Sequence, residues 1–599
     1  MLEYSVLYPV NNCARTAASL DGMWKFSFDP ESKGVQDGWT EHLPNSISMP
    51  VPASFADVFT DHASRDYCGD FWYEKEFFLH AGENDVVELR FGSVAHRCTV
   101  YVNGTEICSH EGGFLPVVCD ITKAAKRNAL NTVVVKVNNE LNESTLPCGS
   151  VMTLTSGKKL AAPYFDFFNY SGIQRSVYVV TKPQESIVDY DTSFAINGKD
   201  ADVCYSVRTN GSHDVAVCLK DAEGNVVAQS EGASGVLHVT DAKLWNVRNA
   251  YLYQLVMVIR DGDTVIDSYE AKLGIRTIRI DGTKILVNDE PVYLKGFGKH
   301  EDFDILGRGF NDSIAKRDYE CMKWINANCF RTSHYPYADE WYQLADEEGF
   351  LIIDEVPAVG MMRSTRNFVK AGTGGFTHFF ETDTVPELLK NHKQQVEEMI
   401  TRDKNHPSVF SFSLFNEPET TSKEAHDYFK AVFDHARPLD PQKRPLTGAF
   451  EKNSQPELCQ VYPLCDFLCL NRYYGWYISG GGTAIEEAEL KFRDEMDRWS
   501  KKNLNVPFVF TEFGTDTLDS MHKLPSIMWS QEYQEEYYER NFNVFDSYDF
   551  ITGELTWNFA DFQTTEGIMR VNGNKKGVFT RNRQPKASAF LLKKRWENK

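Results

Sequence analysis

The chain has 599 residues, too many for one ordinary domain, with 42% hydrophobic and 25% charged residues, which excludes wholesale disorder and collagen-like repeats. Its formal net charge of −22 repels phosphate backbones, so no nucleic-acid partner is expected. No run of about 18 uncharged apolar residues is present, so no membrane span is expected either.

The first twenty residues, MLEYSVLYPVNNCARTAASL, carry no basic stretch followed by an apolar one. Together with thirteen scattered cysteines this predicts a cytoplasmic protein with reduced thiols. Short alternating segments then follow: Trp24–Phe28, Phe71–Phe78, Val86–Phe91, Thr99–Val102, Thr132–Val137 and Ser176–Thr181. A hairpin turn is predicted at Asn103-Gly104. Many short strands and few helices predict a β-sandwich over residues 1–183. Six more alternating runs lie between Val203 and Lys272, and predict an immunoglobulin-like sandwich over 184–276.

After Arg276 the pattern changes. Eight strand-like runs (Val292–Phe297, Cys329–Ser333, Leu351–Asp354, Val409–Leu414, Leu446–Ala449, Phe467–Leu470, Phe508–Thr511, Gly553–Asn558) alternate with amphipathic stretches. The clearest helix is Thr384–Ile400, where Leu388, Leu389, His392, Val396, Met399 and Ile400 share a face and Thr384-Val-Pro-Glu387 reads as a capping box. Eight βα units predict a (β/α)8 barrel over 277–599, with a doubly wound open sheet as the alternative. Two glycine-containing loops interrupt the rhythm. Met361–Asp383 is expected to be a lid or contact surface, and Ser479-Gly-Gly-Gly482 a second flexible loop. Neither has the form of a phosphate cradle. Cys459, Cys465 and Cys469 read as core thiols, not zinc ligands, because no Cys-x-x-Cys pair is present.

Barrel active sites lie at the C-terminal strand ends. There the sequence places Gly298-Lys-His300-Glu301-Asp302, Arg331-Thr-Ser-His334, Asp354-Glu355, Asn416-Glu417-Pro418, Asn471-Arg-Tyr473, Glu512-Phe-Gly514 and Trp557-Asn558. Ionisable residues crowd every mouth position but the fifth. A carboxylate directly after apolar strands four and seven suits glycoside hydrolysis, in which one carboxyl protonates the leaving oxygen and the other attacks the anomeric carbon or activates water. A separation of roughly 5–5.5 Å gives retention and roughly 6.5–9.5 Å inversion. Repulsion between the two raises the pKa of the proton donor. Asp354-Glu355 reads as support for these two.

Ser413-Leu-Phe-Asn416-Glu417-Pro418 and Phe510-Thr-Glu512-Phe-Gly514 resemble the acid/base and nucleophile signatures of glycoside hydrolase family 2. The domain order matches that family, and Leu273-Gly-Ile-Arg276 resembles its entry into the barrel. The segment Gly567-Ile-Met-Arg570-Val-Asn-Gly-Asn574-Lys575-Lys576-Gly577 closely resembles the bacterial β-glucuronidases within it, whose uronate motif is Asn-x-Lys. From Arg570 to Lys586 there are six basic residues and no acidic one, a local field reversal that suits an anionic sugar; a neutral sugar is expected to leave Lys576 unpaired.

The resemblance implies retaining hydrolysis of β-D-glucuronides through a covalent glycosyl-enzyme, with no metal or organic cofactor. It implies Glu417 as acid/base, Glu512 as nucleophile and Asn416 on the sugar 2-hydroxyl. Asn574, Lys576, Arg570 and Tyr477 would hold the carboxylate. Tyr473 would touch the nucleophile, His300 and His334 would line the pocket, Asp166 would reach in from the sandwich and Trp557 would be a sugar platform. The partners implied are small-molecule glucuronides and further copies of the chain in a homo-oligomer, a tetramer by the resemblance. The alternatives are a β-galactosidase or β-galacturonidase of the same family, and a carbohydrate-binding scaffold without activity.

Overall fold

Alternation of apolar and polar residues builds two antiparallel layers at the N-terminal end of the chain. The computed structural model describes residues 4–362, 379–381 and 383–599. A six-stranded sheet (Ile47–Val51, Gly22–Asp29, Asp70–Leu79, Ala129–Asn138, Arg97–Val102 and Thr105–Glu111, in spatial order) faces a four-stranded one (Thr16–Ser19, Val177–Lys182, Val86–Phe91, Val117–Asp120). Trp24, Phe26, Val100, Val133 and Val135 from one sheet meet Val87, Leu89 and Val177 from the other in a shared core. The predicted turn is present, with Asn103 and Gly104 both at positive φ (51° and 80°) between two paired strands.

One expectation fails in this unit. Cys108 and Cys119 are joined in a disulfide, while the eleven other cysteines are free. Their strands, Thr105–Glu111 and Val117–Asp120, lie at the edges of the two sheets, which brings the Cα atoms to 6.0 Å. Spacing along the sequence did not expose that meeting. Cys459 and Cys469 are buried and Cys465 is half-buried, all three free.

The second sandwich pairs a three-stranded sheet (Ile187–Asn197, Asp200–Thr209, Ser234–Val239) with a four-stranded one (Val226–Glu231, Asp214–Lys220, Tyr253–Asp261, Thr264–Leu273). This is the seven-strand arrangement that the alternating runs predict, completed by Ile187–Asn197.

The eight remaining runs close into a parallel barrel: β1 (Leu294–Lys299), β2 (Cys329–Thr332), β3 (Leu351–Glu355), β4 (Val409–Asn416), β5 (Leu446–Phe450), β6 (Leu468–Asn471), β7 (Phe508–Glu512) and β8 (Ile551–Thr556). β8 pairs back onto β1 through Leu294–Gly553, which excludes the open doubly wound sheet. β1 starts two residues later than the apolar run Val292–Phe297, because the hairpin Ile278–Asp281/Lys284–Val287 seals the barrel floor beneath it. Ile285 and Val287 from that hairpin and Trp245 from the second sandwich pack against Leu294, Cys329, Leu351 and Val509 inside the barrel. β4 is buried at every position, as a strand covered on both faces must be.

Among the described residues seven α-helices cover the barrel, and between β5 and β6 only a 3₁₀ turn, Tyr462–Leu464, takes the helix position. The helix predicted from Thr384 runs Val385–Asp403 with its apolar face buried as expected. Thr384 itself has helical dihedrals (φ −79°, ψ −15°) and makes no capping bond, and Glu387 pairs with Lys390 instead, so no capping box forms. Most of the loop Met361–Asp383, including Ala371-Gly-Thr-Gly-Gly375, lies outside the described residues. The Ser479–Gly482 loop is tethered, since the Gly481 N–H donates to the Tyr533 hydroxyl at 2.7 Å.

Candidate active site

The barrel turns two separated carboxylates toward one mouth. Glu512 is the last residue of β7, and Glu417 directly follows β4. Glu417 sits at φ +51°, a left-handed conformation costly for a residue with a Cβ, and its N–H donates to Ala449 O at 2.8 Å. β6 lies between them: Asn471 is paired with Glu512 in the ladder, and its Nδ2 donates to Glu417 Oε1 at 2.9 Å and to Asn416 Oδ1 at 3.1 Å. Thr511 holds the other end of the Asn471 amide at 2.7 Å.

The two carboxylates have opposite surroundings. Glu512 accepts an ion-paired hydrogen bond from Arg331 and one from the Tyr473 hydroxyl at 2.6 Å, with His334 Nε2 3.7 Å away. Donors on both sides hold this carboxylate in one orientation. Glu417 faces Asn471 alone. Burial first, then the charges of Glu512 and Glu451, push its carboxyl well above the usual range, against the opposing pull of Asn471 and Arg331. One group is set up to attack and the other to deliver a proton. Burial and the neighbouring carboxylates also raise the Tyr473 hydroxyl, so it remains a donor to Glu512.

Arg331, from β2, ties the floor of the site together. Besides Glu512 it donates to both oxygens of Glu355 (3.0 and 2.8 Å) and to Asn416 Oδ1 (3.1 Å). Glu355 also accepts from His334 Nδ1 (2.9 Å) and Ser413 Oγ (2.7 Å). Burial raises its carboxyl, but Arg331, His334 and Ser413 outweigh burial and hold it below the ordinary carboxylate range. Glu355 therefore acts on the site through Arg331 and His334, the supporting role expected of a carboxylate without a flanking catalytic signature.

Trp557 is almost fully buried at the base of the mouth, stacked on His334 (5.0 Å between ring centres) and edge-on to His300 (5.4 Å). Two glycines of the sequence signatures make room for it. A Cβ at Gly298 would lie 2.5 Å from the Trp557 ring, and one at Gly514 would lie 1.9 Å from its carbonyl oxygen. His300 donates or accepts at Nδ1 with Tyr335 (3.0 Å), while Nε2 has no partner. Burial, then the charges of His334 and Arg308, keep its ring neutral by lowering its pKa well below the usual value.

The uronate-motif residues gather at the same mouth. Lys576 Nζ donates to the Tyr477 hydroxyl at 2.9 Å and lies 5.8 Å from the Tyr473 ring centre, and Tyr473 in turn holds Glu512. Arg570 Nη2 donates to the same Tyr477 oxygen at 2.9 Å. Arg570 also grips Asp166, which Asn574 Nδ2 reaches at 3.1 Å. Asp166 does reach across from the sandwich, and its side chain keeps 44% of its exposure there.

Two electrostatic expectations need correction. Lys576 is already paired with the buried Asp516, at 2.5 Å, so a neutral sugar would not leave it unpartnered. Nor do all six basic residues of 570–586 form a cationic field. Arg581 pairs with Asp57, Asp302 and Asp304, Arg583 with Asp318, and Lys586 with Asp561, while Lys575 lies 3.8 Å from Asp561. Only Arg570 and Lys576 turn to the site. The fifth mouth position is not empty of ionisable groups either: Glu451 follows β5, is buried, and has its carboxyl raised to about 7, chiefly by burial. A prediction arises here. Glu451→Gln removes a negative charge that raises Glu417, so the alkaline limb of the kcat/KM profile should move to lower pH; a limb that stays in place would show that Glu451 does not act on Glu417.

Side-chain contacts thus join the predicted residues from Glu417 and Glu512 to Tyr477, Arg570, Asn574 and Lys576, while the sequence motifs do not mark Arg331, Asn471, Asp516 or Glu451 as site residues. Arg331 and Asn471 each sit at a strand end beside a motif, which was the available signal. Asp516, four residues past Glu512, had none.

With this geometry established, comparison with known proteins is informative. The profile of the glycosyl hydrolases family 2 TIM barrel domain matches residues 278–599, that of the family 2 sugar binding domain matches 17–183, and a third family 2 profile matches 173–276. A β-glucuronidase from Paenibacillus borealis is 42% identical over 99% of this chain and 98% of its own length. One from Homo sapiens is 37% identical over 99% of this chain and 93% of its own length. The crystal structure of Ruminococcus gnavus β-glucuronidase in complex with uronic isofagomine superposes with a TM-score of 0.99 at 69% identity, over 100% of both chains. A match over more than half the chain, carried by the barrel that holds both carboxylates, makes this protein a member of glycosyl hydrolase family 2.

Proposed function

We propose that the protein is a retaining β-glucuronidase that cleaves β-D-glucuronides to glucuronic acid and an aglycone alcohol or phenol. What carries this reading is that Tyr473 bonds Glu512 while its ring lies 5.0 Å from that of Tyr477, which both Lys576 and Arg570 hold. Named β-glucuronidases over the full chain length support the same reading.

In the first step Glu512 attacks the anomeric carbon while the Glu417 proton passes to the departing oxygen. Arg331 and Tyr473 keep Glu512 aimed. Forming the glycosyl ester removes the Glu512 charge, the second cause of Glu417's raised pKa. Glu417, now carrying the negative charge, then takes a proton from a water as that water attacks the anomeric carbon and the bond to Glu512 breaks, releasing its carboxylate. Asn416, fixed by Arg331 and Asn471, is placed for the 2-hydroxyl, and Trp557 with His300 and His334 forms the pocket base.

The test is turnover of nitrophenyl β-D-glucuronide, β-D-galactoside and β-D-galacturonide by the wild-type protein, with NMR of the first-formed anomer. The glucuronide should be preferred and the β anomer appear first. Lys576→Ala should cost about a hundredfold or more in kcat/KM on the glucuronide, the loss of a buried charged hydrogen-bond partner. Full glucuronide turnover by that variant would rule out the carboxylate assignment.

Three further readings are ours. The division at residues 183/184 and 276/277 follows the strand content described above. Cytoplasmic residence is supported by the eleven free cysteines, while the Cys108–Cys119 disulfide counts against it. No helix among the described residues is long and apolar enough to cross a membrane. A homo-oligomer, a tetramer by the family resemblance, suits the exposed apolar pair Phe78 and Leu130, opposite one another on neighbouring strands of the six-stranded sheet, and is checked by the sedimentation mass.

A further inference from the structure

Asp516 belongs to none of the sequence signatures, yet its side chain is fully buried against the proposed uronate cluster. Its Oδ2 accepts from Lys576 Nζ at 2.5 Å and from Arg570 Nη1 at 3.2 Å, and its Oδ1 accepts from the Lys575 N–H at 2.8 Å. The backbone bond fixes the carboxylate, and the carboxylate fixes both cations. Lys576 spends a second donor on Tyr477, which leaves one of its three N–H bonds for another acceptor. Arg570 meanwhile lends its remaining edge to the more exposed Asp166. Of the two acids holding the cations, Asp516 is inaccessible and Asp166 is exposed.

We infer that Asp516 is a positioning residue that sets the preference for uronic-acid glycosides, by holding Lys576 and Arg570 side by side as donors at the cavity wall. This inference rests on the glucuronide reading above. Two effects of losing Asp516 oppose each other. The site gains a positive charge, which favours an anion. But burial and the adjacent Arg570 charge both disfavour an unpaired ammonium, so the amine loses its proton or its aim. Lys576 is only 1% exposed, so the second effect wins, and more so as pH rises.

The experiment is steady-state kinetics of the full-length protein on nitrophenyl β-D-glucuronide at pH 6.0 and 8.5. Asp516→Asn should raise KM about tenfold or more, with a smaller fall in kcat, and the KM increase should be larger at the higher pH. The double variant Lys576→Met/Asp516→Asn removes both buried partners, so it leaves no orphaned charge. It should be no worse than Lys576→Met alone, since Arg570 keeps its Asp166 bonds and Asp516 acts chiefly through Lys576. If Asp516→Asn does not fold, that comparison decides alone. A KM unchanged and insensitive to pH in Asp516→Asn, or a double variant whose loss multiplies beyond Lys576→Met, would overturn the inference. Absence of glucuronide turnover in the wild-type protein would instead overturn the functional reading beneath it.

Discussion

Glu512→Ala should lower glucuronide turnover by at least about a thousandfold while leaving the fold intact. The chemical loss follows from the nucleophile's place: among the described residues no other carboxylate at the mouth receives both an arginine and a tyrosine donor. The fold is expected to survive because Arg331, left behind by the substitution, keeps both oxygens of Glu355 and the Asn416 amide oxygen. The variant also opens a space where an external anion can sit. Azide should partly restore consumption of an activated aryl glucuronide, attacking the face that Glu512 used and giving an α-glycosyl azide. The checks are initial rates with and without azide and NMR of the product. Wild-type rates in the variant, or a β-configured azide product, would end the double-displacement assignment.

The barrel was legible in the sequence because β4, β7 and their neighbours are continuous apolar runs bounded by polar loops, a pattern that burial on both faces requires. The strand ends then identified Glu417 and Glu512, since a carboxylate beside such a run has nowhere to go but the mouth. Pairing across strands was not legible. Arg331 and Glu512 are 181 residues apart, and only barrel closure brings them into contact. The same holds for the charge of the last segment. A run of six basic residues looks like one field, but Arg581, Arg583 and Lys586 are claimed by acids from distant elements. Asp516 is the converse, a residue unremarkable in sequence whose partners define it. Glu451 escaped because the apolar run of β5 appeared to stop at Ala449, one residue short of Phe450.

Arg331→Met should be the most damaging single substitution in the site for stability. It leaves Glu355 and Glu512, both buried, without their shared cation. Removing one partner of a buried ion pair costs about 3–5 kcal/mol, because the remaining charge is stranded away from water. The pH dependence identifies the cause. In the wild-type protein Glu355 is held below the ordinary carboxylate range, so its stabilising contribution is present above the unfolded-state pKa and is lost as pH falls through the folded value. Without Arg331, burial, the largest influence on Glu355, is opposed only by His334 and Ser413, and its folded pKa rises. The variant is then penalised most where the unfolded chain's carboxylate is ionised, and relieved as acid protonates both states. Unfolding midpoints at pH 7.5 and 5.0 should show a wide gap between variant and wild type at the first pH and a narrower one at the second. A gap of equal size at both would mean that Arg331 contributes packing and not charge.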